Sequence, residues 1–135
     1  MDIPNKLKDL LINKKLCTLA TSSDNEPYLS LMNFTYLEKE NRIILSSRID
    51  SKKYSNIKEN KNISLLIFSA SDNISATLIG TAETIEGDEG EEYREMHLDK
   101  SDSPQFILGD DKGLIIFSIE EIVIADNQDQ VKYIC

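Results

Sequence analysis

Apolar and polar positions along this 135-residue chain change period several times, and each change marks an element. "IPNKLKDLLINKK" puts Ile3, Leu7, Leu10 and Leu11 on one helical face, with Pro4 near the start and Lys14 and Lys15 at the end. "LCTLATS" predicts a strand over 16–22, and "SDNEP" a turn. "YLSLMNFTYL" predicts a second strand over 28–37, and "EKEN" turns the chain into a third, "RIILSS", over 42–47. Only turns separate these runs, so they are expected to pair as consecutive antiparallel hairpins. "NISLLIF", 62–68, is an almost unbroken apolar run and reads as a strand covered on both faces. In "ISATLIGTAETI", 74–85, apolar and polar positions alternate, and Gly80 reads as a bulge or a barrel corner. "GDEGEEYREMHLD", 87–99, predicts a helix with an acidic first turn, and "SDSPQFILGDD" a loop. "GLIIFSIEEIVIAD", 113–126, is one long bent strand or two short ones, and "QVKYI" adds an edge strand.

Many short strands with a few helices indicate a mainly β, α+β architecture: an antiparallel, Greek-key-like β-barrel, closed or nearly so, decorated by helices. A parallel α/β sheet would need helices between most strands, and the first three strands have none. At this length one domain over residues 1–135 is expected, with a core large enough to fold without disulfides or metal.

Composition narrows the function classes. The formal net charge is −9, which argues against general binding to nucleic acid or an anionic membrane. The two cysteines are Cys17, inside an apolar run, and Cys135, the last residue. They form no metal-ligand spacing and no disulfide framework, and Cys17 reads as a small buried hydrophobe. No signal peptide or long apolar span is visible, so a soluble, cytoplasmic protein is expected. His97 is the single histidine and lies among charged residues, so it reads as a surface side chain. With one histidine there is no metal set, and no nucleophile elbow, Walker loop or GxGxxG accompanies it.

One stretch stands against the overall charge. "RIDSKKYSNIKEN", 48–60, carries Arg48, Lys52, Lys53 and Lys58 against Asp50 and Glu59. It reads as a helix start, with Asp50 as the cap and Ile49 and Tyr54 spaced as a hydrophobic staple. Lys52 and Lys53 then fall in the first turn, where the helix dipole is already positive. Two readings account for this. Both lysines point into water, or the N–H groups of Ser51, Lys52 and Lys53, two ammonium groups and a hydroxyl bind an anion.

The ordered set of motifs resembles the pyridoxamine 5'-phosphate oxidase-like family of FMN-binding split β-barrels. The resemblance rests on "LATS" with a hairpin and Pro27, "ILSS" ending the third strand, "DSKKYSNIKENKNISLLI", and "IGTAE". It covers residues 3–86 well and the C-terminal third in outline. It implies a homodimer with FMN at the subunit interface. It implies that Lys53 and Lys52 hold the FMN phosphate, Lys52 in place of the family's Arg, beside Ser51. Ser46 and Ser47 would contact the phosphate or the ribityl chain, and Ser30, Leu31, Met32 and Asn33 would line the ring. Family members often carry Arg where Ser30 falls. Ser75 would approach from the other subunit.

The function this implies is a flavin-dependent oxidoreductase with a small-molecule redox partner. A flavin supplies the redox chemistry, so no catalytic His or Cys is required. The alternatives are a non-catalytic FMN carrier and a deazaflavin binder. Family oxidases that act on vitamin B6 hold substrate with C-terminal arginine and histidine. Here no arginine follows Arg94 and no histidine follows His97, so that reaction is not expected.

Overall fold

The structure is a computed structural model and describes residues 3–135. The first helix, α1 (Asn5–Asn13), buries Leu7, Leu10 and Leu11. Strands β1 (Leu16–Ser23) and β2 (Glu26–Asn33) form a hairpin in full register, from Leu16 opposite Asn33 to Ser23 opposite Glu26. Asp24 and Asn25 make its two-residue turn with φ of 52° and 64°, the left-handed pair that such a turn requires.

The run expected as one strand over 28–37 is two strands. It breaks at Phe34 between β2 and β3 (Thr35–Leu37), and β3 pairs with β4 (Arg42–Arg48). Phe34 is buried at 1% exposure, and its N–H donates to the Lys15 carbonyl at 2.9 Å. At that residue the chain leaves one edge of the sheet and joins the other. The first three predicted strands are therefore not a meander: β1 pairs with β2, while β4 pairs with β3 and with a strand far along the chain.

Next come α2 (Lys52–Glu59), β5 (Asn62–Ser69) and β6 (Ile74–Ile85). The helix expected over 87–99 begins as a 3₁₀ turn at Gly87–Gly90 and continues as α3 (Glu91–Lys100). A second 3₁₀ turn, Pro104–Phe106, lies in the predicted loop. The late apolar run is one 14-residue strand, β7 (Lys112–Ala125), followed by β8 (Gln130–Ile134). The sheet runs β2-β1-β5-β6-β7-β4-β3, with β8 also on β7. Its end strands, β2 and β3, are joined through Phe34 alone, so the antiparallel sheet curls into a half-barrel carrying three helices.

Gly80 sits at the register shift between β6 and β7. A Cβ there would lie 2.0 Å from the Ser118 carbonyl oxygen, so only glycine permits this approach. The inner face packs Leu7, Leu11, Leu19, Ile43, Leu45, Leu65, Leu78 and Phe117 into one core. A smaller cluster of Ile44, Leu114 and Ile116 lies on the other side of β4 and β7, against Leu37, Ile85 and Tyr93 of α3. β4 is thus buried on both faces. β5 is not, contrary to expectation: Ile63, Leu65 and Ile67 point inward, while Leu66 and Phe68 are 38% and 57% exposed.

His97 also departs from the sequence reading. It is 1% exposed, beneath α3, with Nδ1 2.7 Å from Thr35 Oγ1 and Nε2 without a partner. Four-residue spacing puts it on the inward face of a helix whose other positions are mostly charged. Burial pushes its pKa down to about 4, and the charge of Lys100 adds to the shift. Lys100 bonds the Leu11 carbonyl at 3.2 Å and lies 4.3 Å over the Phe34 ring. Cys17 is buried as expected, and its thiol is pushed up to about 12.

The neutral imidazole links stability to pH. The unfolded chain takes a proton near pH 6.5, while the folded chain resists until about 4. The contribution of His97 is present above the unfolded value and is lost as pH falls through the folded one. Urea unfolding at pH 7 and pH 5 should show a loss of about 2 kcal/mol between them from this group. His97→Gln should remove most of that difference, and an unchanged difference would assign the acid sensitivity elsewhere.

Candidate functional site

Seven of the ten residues singled out from the sequence meet in one cleft of about 440 Å³. The end of β2 supplies Leu31, Met32 and Asn33. The end of β4 supplies Ser46, Ser47 and Arg48, and the start of α2 supplies Ser51 and Lys53. The other wall consists of Gln105, Phe106 and Ile107, with Lys112 at the start of β7.

The hydroxyl groups are tied to backbone. Ser51, not Asp50, caps α2: its Oγ accepts from the Tyr54 N–H at 3.3 Å. Ser51 Oγ donates to the Arg48 carbonyl at 2.8 Å, which leaves Ser47 Oγ to donate to Ser51 Oγ, also at 2.8 Å. Asp50 fails as the cap because Arg48 claims both of its carboxylate oxygens, each at 2.9 Å. That hydrogen bond, ahead of the charge of Arg48, holds the Asp50 carboxyl below the usual carboxylate range. Ser46 Oγ donates to the Phe106 carbonyl at 3.0 Å and so fastens the Pro104–Phe106 turn across the cleft.

Three expected residues lie outside the cleft wall. Lys52 Nζ sits 6.0 Å from the centroid of the Tyr28 ring. Ser30 faces Leu19 across the β1–β2 ladder, and its hydroxyl is buried without a partner. Ser75 pairs with Ala125 and borders a separate surface groove with Leu66 and Phe68. Lys58, farther along α2, pairs with Glu86 at 3.0 Å and lies 5.2 Å from the Tyr54 ring centroid.

Sequence reasoning missed Arg48 as a wall residue, and Gln105, Phe106, Ile107 and Lys112 altogether. Arg48 lay in the basic stretch and had a signal. The others come from a loop and a strand start more than 50 residues away, and only strand pairing brings them in. β4 and β7 place Arg48 opposite Lys112, Ser47 opposite Gly113, and Ser46 opposite Leu114. Cations and free helix N–H groups against an apolar strand suit a ligand with an anionic end and a flat apolar body.

A curled antiparallel half-barrel with three helices places the chain among the split β-barrels. The family model for pyridoxamine 5'-phosphate oxidase matches residues 3–123, and the chain belongs to that family. It is 32% identical to a pyridoxamine 5'-phosphate oxidase homolog of Schizosaccharomyces pombe, over 94% of this chain and 87% of that protein. A heme binding protein from Mycobacterium smegmatis shares the fold at a TM-score of 0.81 and 20% identity, over 99% of this chain and 59% of that one. A pyridoxamine 5'-phosphate oxidase-related, FMN binding protein from Nostoc punctiforme shares it at 0.68 and 13% identity, over 87% and 78%. No helix among the described residues is long and apolar enough to cross a membrane.

The reassigned cap is directly measurable. Ser51→Ala removes the acceptor for Tyr54 N–H and the link to Ser47, and should cost about 1 kcal/mol in urea unfolding. Asp50→Ala should cost less, because Asp50 meets Arg48 in solvent. The reverse order would restore Asp50 as the cap.

Proposed function

We propose that the protein is an FMN-binding flavoprotein acting as a flavin-dependent oxidoreductase on a small-molecule redox partner. The observation that carries this reading is the convergence of Lys53, the capped start of α2 and the strand Leu31–Asn33 on one cleft. Lys53 and the first-turn N–H groups would hold the phosphate. Leu31 would present its exposed side chain to the ring beside the edge of the core at Met32, and Asn33 a polar edge. When bound, FMN supplies the electron-transfer chemistry, and the chain binds it, orients it and limits water. No histidine or cysteine lines this cleft, which fits chemistry carried by the cofactor. The FMN-binding Nostoc relative supports the choice of ligand. Haem suits this cleft less well, because the one histidine is buried under α3 and bonded to Thr35. A carrier role, or a deazaflavin in the same cleft, would use the same residues.

The purified protein should be yellow, with about one FMN per chain. Lys53→Ala should weaken FMN binding by about tenfold or more, measured by flavin fluorescence quenching. Colourless protein that fails to quench FMN would sink this reading. Turnover of a nicotinamide donor with an acceptor favours the enzyme, and tight flavin without turnover favours the carrier.

We further propose a homodimer with the cleft at its interface. The outer face of β2, β1, β5 and β6 carries Leu29, Leu31, Leu66, Phe68 and Ile79, between 37% and 71% exposed. The ladder aligns Leu31, Thr18, Leu66 and Thr77 in one row and Leu29, Ala20, Ser64 and Ile79 in the next. Large apolar side chains gathered on one face favour cover by a partner, and Leu31 belongs to both this face and the cleft. Sedimentation should give twice the chain mass, and Leu66→Asp should give a folded monomer that holds FMN poorly. A wild-type monomer that binds FMN fully would overturn the interface.

A further inference from the structure

We propose that Lys112, not Lys52, is the second cation of the phosphate site, facing Lys53 across the cleft. The inference rests on reading this cleft as the seat of a phosphate-bearing ligand. It begins with an unfavourable arrangement in the sheet. Arg48 and Lys112 are directly opposite on β4 and β7, a position where like charges repel. One carboxylate mediates: Asp111 accepts from Arg48 at 2.9 Å through one oxygen and from Lys112 at 3.1 Å through the other. The backbone fixes that carboxylate, since the Ile49 N–H donates to the Asp111 carbonyl at 2.9 Å.

Asp50 holds Arg48 through both of its oxygens, so Asp50 and Asp111 between them balance Arg48 and Lys112. The Lys112 side chain is only 15% exposed and lines the cleft. With Lys53 added, the cleft brings together three cations, Arg48, Lys53 and Lys112, against two carboxylates, Asp50 and Asp111, so a positive excess is left for an incoming anion. A bound phosphate monoester brings close to two negative charges. Lys53 and the start of α2 match one of them, and Lys112 is placed to match the other. Lys52 is not in the wall, and its ammonium leans towards Tyr28. The lysine paired with Lys53 therefore comes from a strand 59 positions on, rather than from the neighbouring residue.

Thermal unfolding with inorganic phosphate against chloride at equal ionic strength tests the site, for wild type, Lys52→Met, Lys53→Met and Lys112→Met. Methionine keeps the apolar stem and removes the charge. Phosphate should raise the midpoint of wild type and Lys52→Met, and much less that of Lys53→Met and Lys112→Met. Lys112→Gln should behave like Lys112→Met, and Lys112→Arg should retain the response, so the comparison survives if one variant folds poorly. In parallel, Lys112→Met should weaken FMN by about tenfold to a hundredfold while leaving riboflavin, which lacks the phosphate, unchanged. A full phosphate response in Lys112→Met, or none in wild type, overturns the proposal. A Lys112-dependent phosphate response without FMN binding sinks the flavin reading and leaves this one standing. FMN binding with an unaltered preference over riboflavin in Lys112→Met does the opposite.

Discussion

Strand β7 must be paired along both edges, and the rest of the molecule follows from how that is met. Along one edge β6 runs almost its full length. Along the other, β4 takes residues 112–118 and β8 takes 121–125. A buried strand with open N–H and C=O groups would forfeit several hydrogen bonds at once, so these ladders are obligatory. Burial on both sides of β4 and β7 then fixes the register, because a one-residue slip would exchange the Ile43–Leu45 face for the Ile44–Ser46 face. That register sets Arg48 against Lys112 and opens the cleft between them.

The cleft concentrates positive charge in a chain whose net charge is −9. Arg48, Lys53 and Lys112 line the cleft, with Asp50 and Asp111 paired to Arg48 and Asp111 also to Lys112. The start of α2 adds the N–H groups of its first turn, of which Ser51 Oγ takes that of Tyr54.

Much of the fold was legible because it depends on local rules. The α1 face, the Asp24–Asn25 turn, the alternation of β6 and the bulge at Gly80 all follow from period or from backbone freedom. What failed shares a cause. Phe34 looks like any other strand residue, and it breaks the strand only because the Lys15 carbonyl and a core cavity receive it. Asp50 is as good a cap as Ser51 in isolation, and it loses the role because Arg48 holds it. His97 looks exposed among charged neighbours, and α3 turns it inward. Leu66 and Phe68 look like core and lie on the outer face.

By itself, the sequence determined most of the element order, the mainly antiparallel architecture and the basic helix start at Ser51–Lys53, all patterns within a dozen residues where periodicity, turn chemistry and helix ends act directly. Leu31–Asn33 and Ser46–Ser47 were pointed to by the resemblance to a known family, not by local pattern. Tertiary structure alone decided which lysine faces the cleft, which hydroxyl groups are already engaged, and that Gln105–Ile107 and Lys112 complete the wall. The reason is physical. Side-chain direction at a helix start, and the identity of the residue across a ladder, are set by packing and register between segments distant in the chain, and no local pattern encodes them.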